Sequence, residues 1–492
     1  MSDHGMSDGE ARPVRGDEET RLIRRTWLLA GFAATMIGFS VAPILNDYLD
    51  RGNKDYVLWY YTGRAVSQGV EIYPKDGRIF PFMYPPSAAA MLAIAGKLGE
   101  APFLLLLIAI NSAAWAAAVL LSAYLATGKV AGRRPLLYLV PTLGVVAYIH
   151  DTYLLGQPNL VLLACMLGAF ACLGWRRPAI AGALIAVAAA IKAFPFMAIG
   201  YLVYRRYWRA TAAMLATLTL AMVVLPMPFR GVAGAYEDVG TWTQGMLLRY
   251  DSGSIAQRPE RGFGHKNQSL MALANRLLRD IPADAEAKDG WKVNLARLDF
   301  AAVNKIILAS ALALGGLFVA LMPWKAPGPG TAAAIEGALL LLLILMFSPL
   351  SFNYSFVWLL YPLTVALHLG QESPRGSAAR RVLIGSVAGS LGLLALSAFS
   401  SRTAAGYGNS FFAAATLFAG LGWRLAVEPG VDSPIRIAAR LASRALAKAR
   451  GSAPAPASVA APGVDAGHPS PPAPHAATAL GQPHTAGRRG LP

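Results

Sequence analysis

The sequence predicts an all-α polytopic membrane protein with about twelve transmembrane helices and with its long loops on the extracytoplasmic side. Three observations predict this class. The chain of 492 residues is 55% hydrophobic and only 14% charged, which is far more apolar than a soluble domain of this length. Apolar runs of about 20 residues, the length that crosses a bilayer core, recur along the chain. The polar segments between these runs must hold most of the formal net charge of +17.

The apolar runs supply the individual spans. The clear candidates, each close to the length of a crossing helix, are 27–46, 101–126, 136–150, 158–174, 209–228, 302–323, 333–349, 354–370, 382–400 and 409–426. Segment 179–206 is apolar but interrupted by Lys192 and Pro195, so we expect two short helices that form a hairpin. Segment 84–98 is open between a re-entrant or interfacial helix and a further span.

Clusters of Lys and Arg between the runs set the orientation, because such clusters concentrate in cytoplasmic loops. They lie at 21–25, 129–134, 176–177, 205–209, 325 and 375–381. With about twelve crossings every cluster falls inside, and both termini are cytoplasmic. The outer segments are then 47–100, 151–157, the break at Lys192, 229–300, 350–353 and 401–408. A bacterial-type plasma (inner) membrane is the expected location.

The chain divides into four parts. Residues 1–26 are expected to form a cytoplasmic tail, since no signal-peptide cleavage site follows them, and 27–427 form the transmembrane domain. Within 428–450, the four basic residues Arg436, Arg440, Arg444 and Lys448 recur at intervals of four, which indicates a basic amphipathic helix on anionic headgroups or a plain solvated segment. The tail 451–492 is rich in Pro and Ala and is expected to be disordered.

Composition also excludes some functions. A basic chain often binds nucleic acid, but no aromatic-and-basic motif or zinc-finger spacing supports that interpretation. Cys165 and Cys172 are the only cysteines, and about two helical turns separate them, too far for a disulfide. We therefore expect neither a metal nor another cofactor. Membrane lipids are expected partners.

The first outer loop suits carbohydrate, because it combines aromatic residues, which stack on sugar rings, with carboxylates that bind hydroxyls. Sugar transfer to a hydroxyl needs a general base for the acceptor and positive charge for the leaving group. Asp47, Asp50, Asp55 and Asp76 could each supply the base, although a loop aspartate often only caps a turn. The residues alone do not choose among these four.

Other polar clusters lie at the outer ends of the apolar runs. Lys192 in IKAFP must either snorkel to the surface or meet an anion, for which phosphate is the obvious choice. The remaining clusters are His150 and Asp151 before GQPN (156–159), GFGHKNQSL (262–270) and SPLSFNYSFVW (348–358). Each also fits ordinary turn, cap or interface sequence.

The chain resembles glycosyltransferase family 87 over roughly residues 20–427. The resemblance is carried by six motifs in the family's order: DYVLWYYTGRAVSQGVEIY, FMYPP, GQPNLVLL, AGALIAVAAAIKAFP, NQSL and SPLS. This family includes polyprenol-phosphate-mannose-dependent mannosyltransferases of mycobacteria. The resemblance implies a fold of the C superfamily of glycosyltransferases (GT-C), in which a polyprenyl-phosphate sugar enters from the bilayer. The expected activity is transfer of a hexose, with mannose as the first candidate, to an extracytoplasmic glycolipid or glycan with inversion. The predicted cytoplasmic loops contain no D-x-D motif, the pattern that binds a nucleotide sugar, which agrees with a lipid-linked donor.

The resemblance also implies roles for individual residues. Asp55 matches the essential aspartate of the first outer loop and would be the general base. Lys192 would contact the donor phosphate, with help from Arg64 or His265. The residues that would line the sugar and acceptor site are Tyr84, Gln157, Asn159, Asn267, Gln268, Asn353 and Tyr354. Family members often carry histidines after SP-x-S, where this chain has Asn353, Tyr354 and Ser355. Either His265 replaces those histidines or the donor or acceptor differs from the mannosyl case.

A transporter or flippase is the alternative, since a many-span protein with a broken intramembrane helix also fits transport. Two features argue against it. The halves of the sequence show no internal repeat, and polar residues gather on one face instead of at mid-membrane depth. The spans are also nearly free of the charged residues that a flippase would carry.

Overall fold

The computed structural model describes residues 15–48, 54–73, 82–129, 134–248, 262–284, 287, 289–428, 430 and 432–451. The regular elements among these residues are all helices, and the one β-type contact among them is an isolated bridge between Asn267 and Phe352. The described residues up to Arg440 form one compact unit. A second unit begins at Leu441, and its described residues, as far as Gly451, are helical.

Most of the α-helices are apolar. In chain order the described helices are α1 (Arg15–Tyr48), α2 (Lys54–Ser67), α3 (Pro86–Ala95), α4 (Glu100–Thr127), α5 (Leu136–Gly144), α6 (Val146–Leu155), α7 (Asn159–Gly174), α8 (Pro178–Ile191), α9 (Ala198–Tyr204), α10 (Trp208–Thr219), α11 (Met227–Trp242), α12 (Leu270–Leu278), α13 (Phe300–Leu321), α14 (Thr331–Phe347), α15 (Leu360–Glu372), α16 (Ala378–Gly406), α17 (Asn409–Ala426) and α18 (Pro434–Gly451). Short 3₁₀ turns lie at Gly96–Leu98, Phe194–Met197 and Asn353–Leu359, and π-helical turns at Leu220–Val224 and Thr243–Leu248.

Four described helices are long and apolar enough to cross a membrane: Thr26–Asn46 of α1, α4, α13 and Ala378–Ser397 of α16. Two bent pairs bring the number to six if each counts as one span. Shorter apolar helices are Pro86–Leu98, Pro178–Ile191, Phe194–Tyr204 and Thr331–Phe347. The predicted all-helical class is confirmed for the described residues, and their apolar helices are consistent with a membrane protein. The GT-C fold and the number of about twelve crossings stay predictions, since many predicted spans are short or bent.

Several predicted spans differ in detail from the observed helices. The run 209–228 is not one straight span, because the chain bends by 102° between Trp208–Val224 and Met227–Gly245, where Pro226 interrupts the helix. The chain bends by 120° between α6 and α7 at the GQPN turn, close to the predicted turn 151–157, but α6 continues through most of that turn to Leu155. Segment 84–98 contains the 10-residue helix α3, which at 1.5 Å per residue is too short to cross.

The predicted ends of the chain are partly described. The helix α1 already begins at Arg15, inside the predicted tail 1–26. The helix α18 covers most of the predicted basic helix 428–450, and the predicted disordered tail lies outside the described residues apart from Gly451. The interruption of 179–206 at Lys192 is present, with α8 ending at Ile191 and α9 beginning at Ala198.

The core includes α7, α8, α14, α15 and α17, each of which carries several fully buried side chains. In contrast, α1 and α13 bury few residues and expose large apolar side chains, as expected for helices that face lipid. One buried ion pair, Arg205 with Glu336, joins the end of α9 to α14, and the hydroxyl of Tyr201 donates to the same carboxylate at 3.1 Å. These contacts fix the far end of the α8–α9 hairpin relative to the site described next.

Candidate active site

Five polar side chains from four segments of the chain meet at one place. The Gln157 Nε2 donates to Oδ2 of Asp55, and the Tyr84 hydroxyl lies 3.3 Å from that oxygen and 3.2 Å from Oε1 of Gln157. The Lys192 Nζ donates to Oε1 of Gln157 at 3.3 Å and to Oδ1 of Asn159 at 3.5 Å. Gln157 therefore lies between the carboxylate and the ammonium. We call these five residues the Asp55 cluster.

The helix α2 brings Asp55 to this cluster. Asp55 lies in the first turn of α2, where the helix dipole favours a negative charge. The next residue, Tyr56, donates its hydroxyl to the carbonyl of Tyr153 at 2.8 Å, and Trp59 Nε1 donates to the carbonyl of Gly156 at 2.9 Å. These two bonds attach α2 to the end of α6. They hold the carboxylate of Asp55 beside Gln157.

Gly156 makes this close approach possible. It ends α6 in the left-handed conformation with φ of 70°, and the next amide, of Gln157, donates to the carbonyl of Thr152 at 2.9 Å. A Cβ at position 156 would lie 2.8 Å from the ring of Tyr56. Glycine is therefore required both by the backbone and by the packing of α2.

Lys192 enters the cluster because α8 ends there. Pro195 has no amide hydrogen and its ring excludes a helical carbonyl at Ile191, so the chain leaves the helix with Lys192 in an extended conformation. The ammonium lies over the ring of Tyr354 at 4.9 Å from its centroid and near the rings of Tyr84 and Phe194 at 5.7 and 5.9 Å. An aromatic cage of this kind stabilises a cation without neutralising it.

Tyr84 is held by its own set of contacts. Its carbonyl accepts a bond from the hydroxyl of Tyr73 at 2.7 Å, and its ring packs on Trp59 at a centroid distance of 4.2 Å. The following Pro85 and Pro86 keep the backbone extended before α3 begins. These contacts hold the phenol of Tyr84 in place beside Asp55 and Gln157.

The predicted substrate residues Asn267 and Gln268 have a different environment. The Nδ2 of Asn267 donates to the carbonyls of Gly262 and Pro349, both at 2.8 Å, and the Nε2 of Gln268 donates to the carbonyls of His265 and Ala405. Both side chains are fully buried. Their amide donors therefore tie the loop 262–269 to its surroundings, and the structure does not bring these side chains into the Asp55 cluster.

This loop nevertheless reaches the cluster through the backbone. The amide of Gln268 donates to the carbonyl of Ser351 at 2.8 Å, and the amide of Asn353 donates to the carbonyl of Lys266 at 3.0 Å. The residue after this paired segment is Tyr354, whose ring lies under Lys192. The GFGHKNQSL and SPLSFNYSFVW motifs therefore meet each other. The second motif reaches the cluster through Tyr354 and through Trp358, whose Nε1 donates to the carbonyl of Asn159 at 3.1 Å.

Sequence reasoning missed Arg276, which anchors the same loop. Its fully buried guanidinium donates to five backbone carbonyls at 2.8 to 3.2 Å, those of Phe263, Gly264, Asn267, Ala405 and Gly406. An arginine in a short amphipathic helix gives no sequence signal that it points inward. Its acceptors are backbone carbonyls of a loop and of the end of α16, so only the folded structure reveals its role.

His265 and Arg64 were predicted to help bind phosphate, and both lie away from the cluster in the described contacts. His265 Nδ1 faces the carbonyl of Ala283 at 3.3 Å and Asp284 at 3.7 Å. Burial lowers the pKa of His265, partly opposed by Asp284, so the imidazole is neutral at neutral pH. Arg64 is exposed near the other end of α2, nine residues or roughly 13 Å from Asp55 along the helix axis.

The other aspartates of the first outer loop cannot be compared with Asp55. Asp50 and Asp76 lie outside the described residues, as does the side chain of Asp47. Within the part of the chain that the structure describes, no group of three His, Cys, Asp or Glu side chains is arranged to hold a metal ion. The chemistry available at the cluster is that of a half-buried carboxylate beside a half-buried ammonium.

A family model for glycosyltransferase family 87 matches residues 82–349, which is more than half of the chain. The chain belongs to glycosyltransferase family 87. The resemblance drawn from the motifs is thereby confirmed, and together with its apolar helices this makes the protein a membrane glycosyltransferase. No curated protein and no solved structure matches the chain.

The matched range divides the Asp55 cluster. Tyr84, Gln157, Asn159 and Lys192 lie inside it, whereas Asp55 precedes it. The assignment of Asp55 therefore depends on its contacts with the matched residues, and not on the family match itself.

Proposed function

We propose that this membrane glycosyltransferase transfers a hexose, with mannose as the first candidate, from a polyprenyl-phosphate sugar to a hydroxyl of an extracytoplasmic glycolipid or glycan, with inversion. One observation carries the proposal. Asp55 and Lys192 are held on opposite sides of Gln157, so a base and a cation flank one polar position. Inverting transfer from a glycosyl phosphate requires this pair of groups.

The reaction follows from the two charges. Asp55 removes the proton from the acceptor hydroxyl, whose oxygen attacks the anomeric carbon of the donor as the bond from that carbon to the phosphate oxygen breaks. The electron pair of that bond leaves with the polyprenyl phosphate, whose added negative charge Lys192 stabilises. The products are the inverted glycoside and polyprenyl phosphate, and the proton on Asp55 passes to solvent.

Two features support a phosphate beside Lys192. The hydrogen-bonding partners of its ammonium in the described chain are the neutral amide oxygens of Gln157 and Asn159. The Nδ2 of Asn159 is buried and makes no hydrogen bond in the structure. An ammonium whose two hydrogen-bond acceptors are neutral, next to an amide donor that lacks an acceptor, favours an anion, and phosphate oxygens would satisfy both groups.

The position of Lys192 supports a donor that arrives from the bilayer. It lies at the break between α8 and α9, two helices that are apolar along their length. The opposite ends of α7 and α8 meet at Arg176 and Arg177, and 16 residues of α7 place that turn roughly 24 Å from Asn159. Since arginines favour the cytoplasmic side, this arrangement supports an extracytoplasmic site within reach of a lipid-linked sugar.

The first test is transfer by the purified full-length protein in detergent. Radiolabelled mannose is supplied either as a short-chain polyprenyl phosphate mannose or as the nucleotide sugar, with membrane glycolipid as acceptor. We expect label to enter the glycolipid from the lipid-linked donor alone. Transfer from the nucleotide sugar alone would contradict the proposed donor. Movement of lipid-linked sugar across a reconstituted bilayer without any transfer would support the flippase alternative.

A further inference from the structure

Two neighbouring turns of the bundle, far from the Asp55 cluster, have the same backbone. In the turn after α7, Arg176 has φ of 58°, its amide donates to Leu173, and the amide of Arg177 donates to Cys172 at 2.8 Å. The turn after α9 repeats this pattern. Arg206 has φ of 56°, its amide donates to the carbonyl of Val203, and the amide of Tyr207 donates to the carbonyl of Leu202. Both are Schellman turns, in which one residue is left-handed.

An arginine is an unexpected residue at these two positions. Glycine or asparagine normally occupies the left-handed position, because a side chain there brings the Cβ close to the following carbonyl and costs free energy. Arg176 and Arg206 are the only non-glycine residues with positive φ among the described residues. The chain thus accepts the same unfavourable backbone twice and gains a guanidinium each time, which points to a role for the side chains.

The two turns lie side by side. The helices α8 and α10, which follow the turns, pack closely against each other. Gly182, the fifth residue of α8, lies so near Ala210, the third residue of α10, that a Cβ on Gly182 would overlap the carbonyl of Ala210. The starts of the two helices therefore differ in level by only about 3 Å, at an axis separation of roughly 8 Å.

This arrangement gathers positive charge that the described chain leaves unneutralised. Arg176, Arg177, Arg206 and Arg209 are exposed, and none of them pairs with a carboxylate among the described residues. Arg205 differs, since it is buried against Glu336. We call the four exposed arginines the arginine platform. The starts of α8 and α10 add the positive ends of two helix dipoles to it.

Two exposed tryptophans show where the platform lies relative to the bilayer. Trp175 precedes Arg176 and is 53% exposed, and Trp208 precedes Arg209 and is 59% exposed. Exposed tryptophan beside arginine is typical of the level of the lipid headgroups. The platform is at the opposite end of α7 and α8 from Asn159 and Lys192, so it faces the other leaflet from the Asp55 cluster.

We propose that the arginine platform binds the phosphate of an anionic phospholipid of the leaflet opposite the active site. Guanidinium groups match phosphate oxygens in a two-pronged geometry, and four of them at the headgroup level attract an anionic lipid far more than a zwitterionic one. The tryptophan rings would cover the glycerol region. A lipid held between the two turns would join the α7–α8 and α9–α10 connections.

The test compares full-length protein in nanodiscs of phosphatidylcholine with and without phosphatidylglycerol, measuring the thermal unfolding midpoint and the phosphatidylglycerol retained by native mass spectrometry. The variant Arg176→Gly/Arg206→Gly suits the backbone, because glycine accepts both left-handed positions. Arg380→Gln/Arg381→Gln is the matched control, since it removes two charges from another basic segment, the start of α16.

We expect phosphatidylglycerol to raise the midpoint of the wild type and of the control. The glycine variant should lose this increase and bind phosphatidylglycerol at least about tenfold more weakly, yet unfold no earlier in phosphatidylcholine alone. The proposal is wrong if the wild type shows no preference for the anionic lipid, or if the control loses the effect equally. It is also wrong if the glycine variant is destabilised in phosphatidylcholine alone, because the arginines would then be structural.

Discussion

Replacing Lys192 by methionine isolates the charge at the Asp55 cluster. Methionine keeps an unbranched side chain among the rings of Tyr84, Phe194 and Tyr354, but it removes the ammonium. If the ammonium binds the leaving phosphate, the change removes one charge-assisted hydrogen bond, which is worth about 1.5 to 3 kcal/mol. That energy corresponds to a loss of roughly 10- to 150-fold in kcat/KM for the donor.

The same variant has a distinct effect on stability if Lys192 serves function. In the resting protein its ammonium is bonded to two neutral amide oxygens at 3.3 and 3.5 Å, which repay only part of the cost of removing a charge from water. We therefore expect the thermal unfolding midpoint of Lys192→Met to stay the same or to rise. A structural lysine would give the opposite result.

The assay is steady-state transfer from polyprenyl phosphate mannose at varied donor concentration, with thermal unfolding followed on the same preparations. Lys192→Arg is the companion variant, since it restores the charge with a larger headgroup and should recover part of the donor kcat/KM. Donor kcat/KM within about threefold of wild type in Lys192→Met would refute the phosphate contact.

Three further predictions concern the elements around the cluster. Gly156→Ala should destabilise the protein by about 2 to 4 kcal/mol and reduce transfer, because the new Cβ meets the ring of Tyr56 at 2.8 Å in a left-handed backbone. Gly200→Ala, which has open space around it, should not destabilise the protein. Thermal unfolding of the two variants and the wild type measures the difference. Arg276→Met should cost about 3 kcal/mol by leaving backbone carbonyls without donors, with Arg276→Lys recovering little; equal unfolding midpoints of wild type and Arg276→Met would contradict this. Burial lowers the pKa of His265, so on acidification the unfolded chain binds a proton there before the folded chain does. The stability that His265 contributes above pH of about 6.5 is therefore lost as the pH falls. The thermal unfolding midpoint of His265→Gln should decline less on acidification than that of the wild type, and parallel declines would exclude this role.

Much of the architecture follows from simple sequence patterns. The apolar runs predict helices, and the long runs became α1, α4, α13 and α16. The break at Lys192 was predictable because Pro195 cannot continue a helix that includes Ile191. In contrast, hydropathy does not show whether a run stays straight, so the bend of 102° near Pro226, inside the predicted span 209–228, was not predicted. The bend of 120° at the GQPN turn lies where the sequence already separates two spans.

The candidate site was predictable in part for a related reason. Lys192, Gln157 and Asn159 have polar groups at the ends of apolar runs, where an unneutralised side chain indicates a ligand. Asn267 and Gln268 occupy similar places in the sequence, but their amides bond to backbone carbonyls of the loop and of α16. A single sequence does not distinguish an amide that binds substrate from one that fixes a loop.

Aromatic residues of the first outer loop also have two uses. The sequence predicts that they stack on sugar, and the structure uses Tyr56 and Trp59 to fasten α2 to the GQPN turn. Their partners are carbonyls about a hundred residues away, so only the folded chain reveals the contacts. These bonds place Asp55 beside Gln157. The loop residues alone, with four candidate aspartates, do not predict this contact.

The most direct measurement of the central claim, that Asp55 is the general base, is the turnover of purified Asp55→Asn enzyme with polyprenyl phosphate mannose. The amide keeps the size of the side chain but cannot accept the acceptor proton, so kcat should fall by about a hundredfold or more while binding of the product polyprenyl phosphate is kept. Asp280→Asn, an exposed outer-loop carboxylate paired with Lys292, is the matched control and should transfer at the wild-type rate. Near-normal turnover by Asp55→Asn would contradict the assignment of the base.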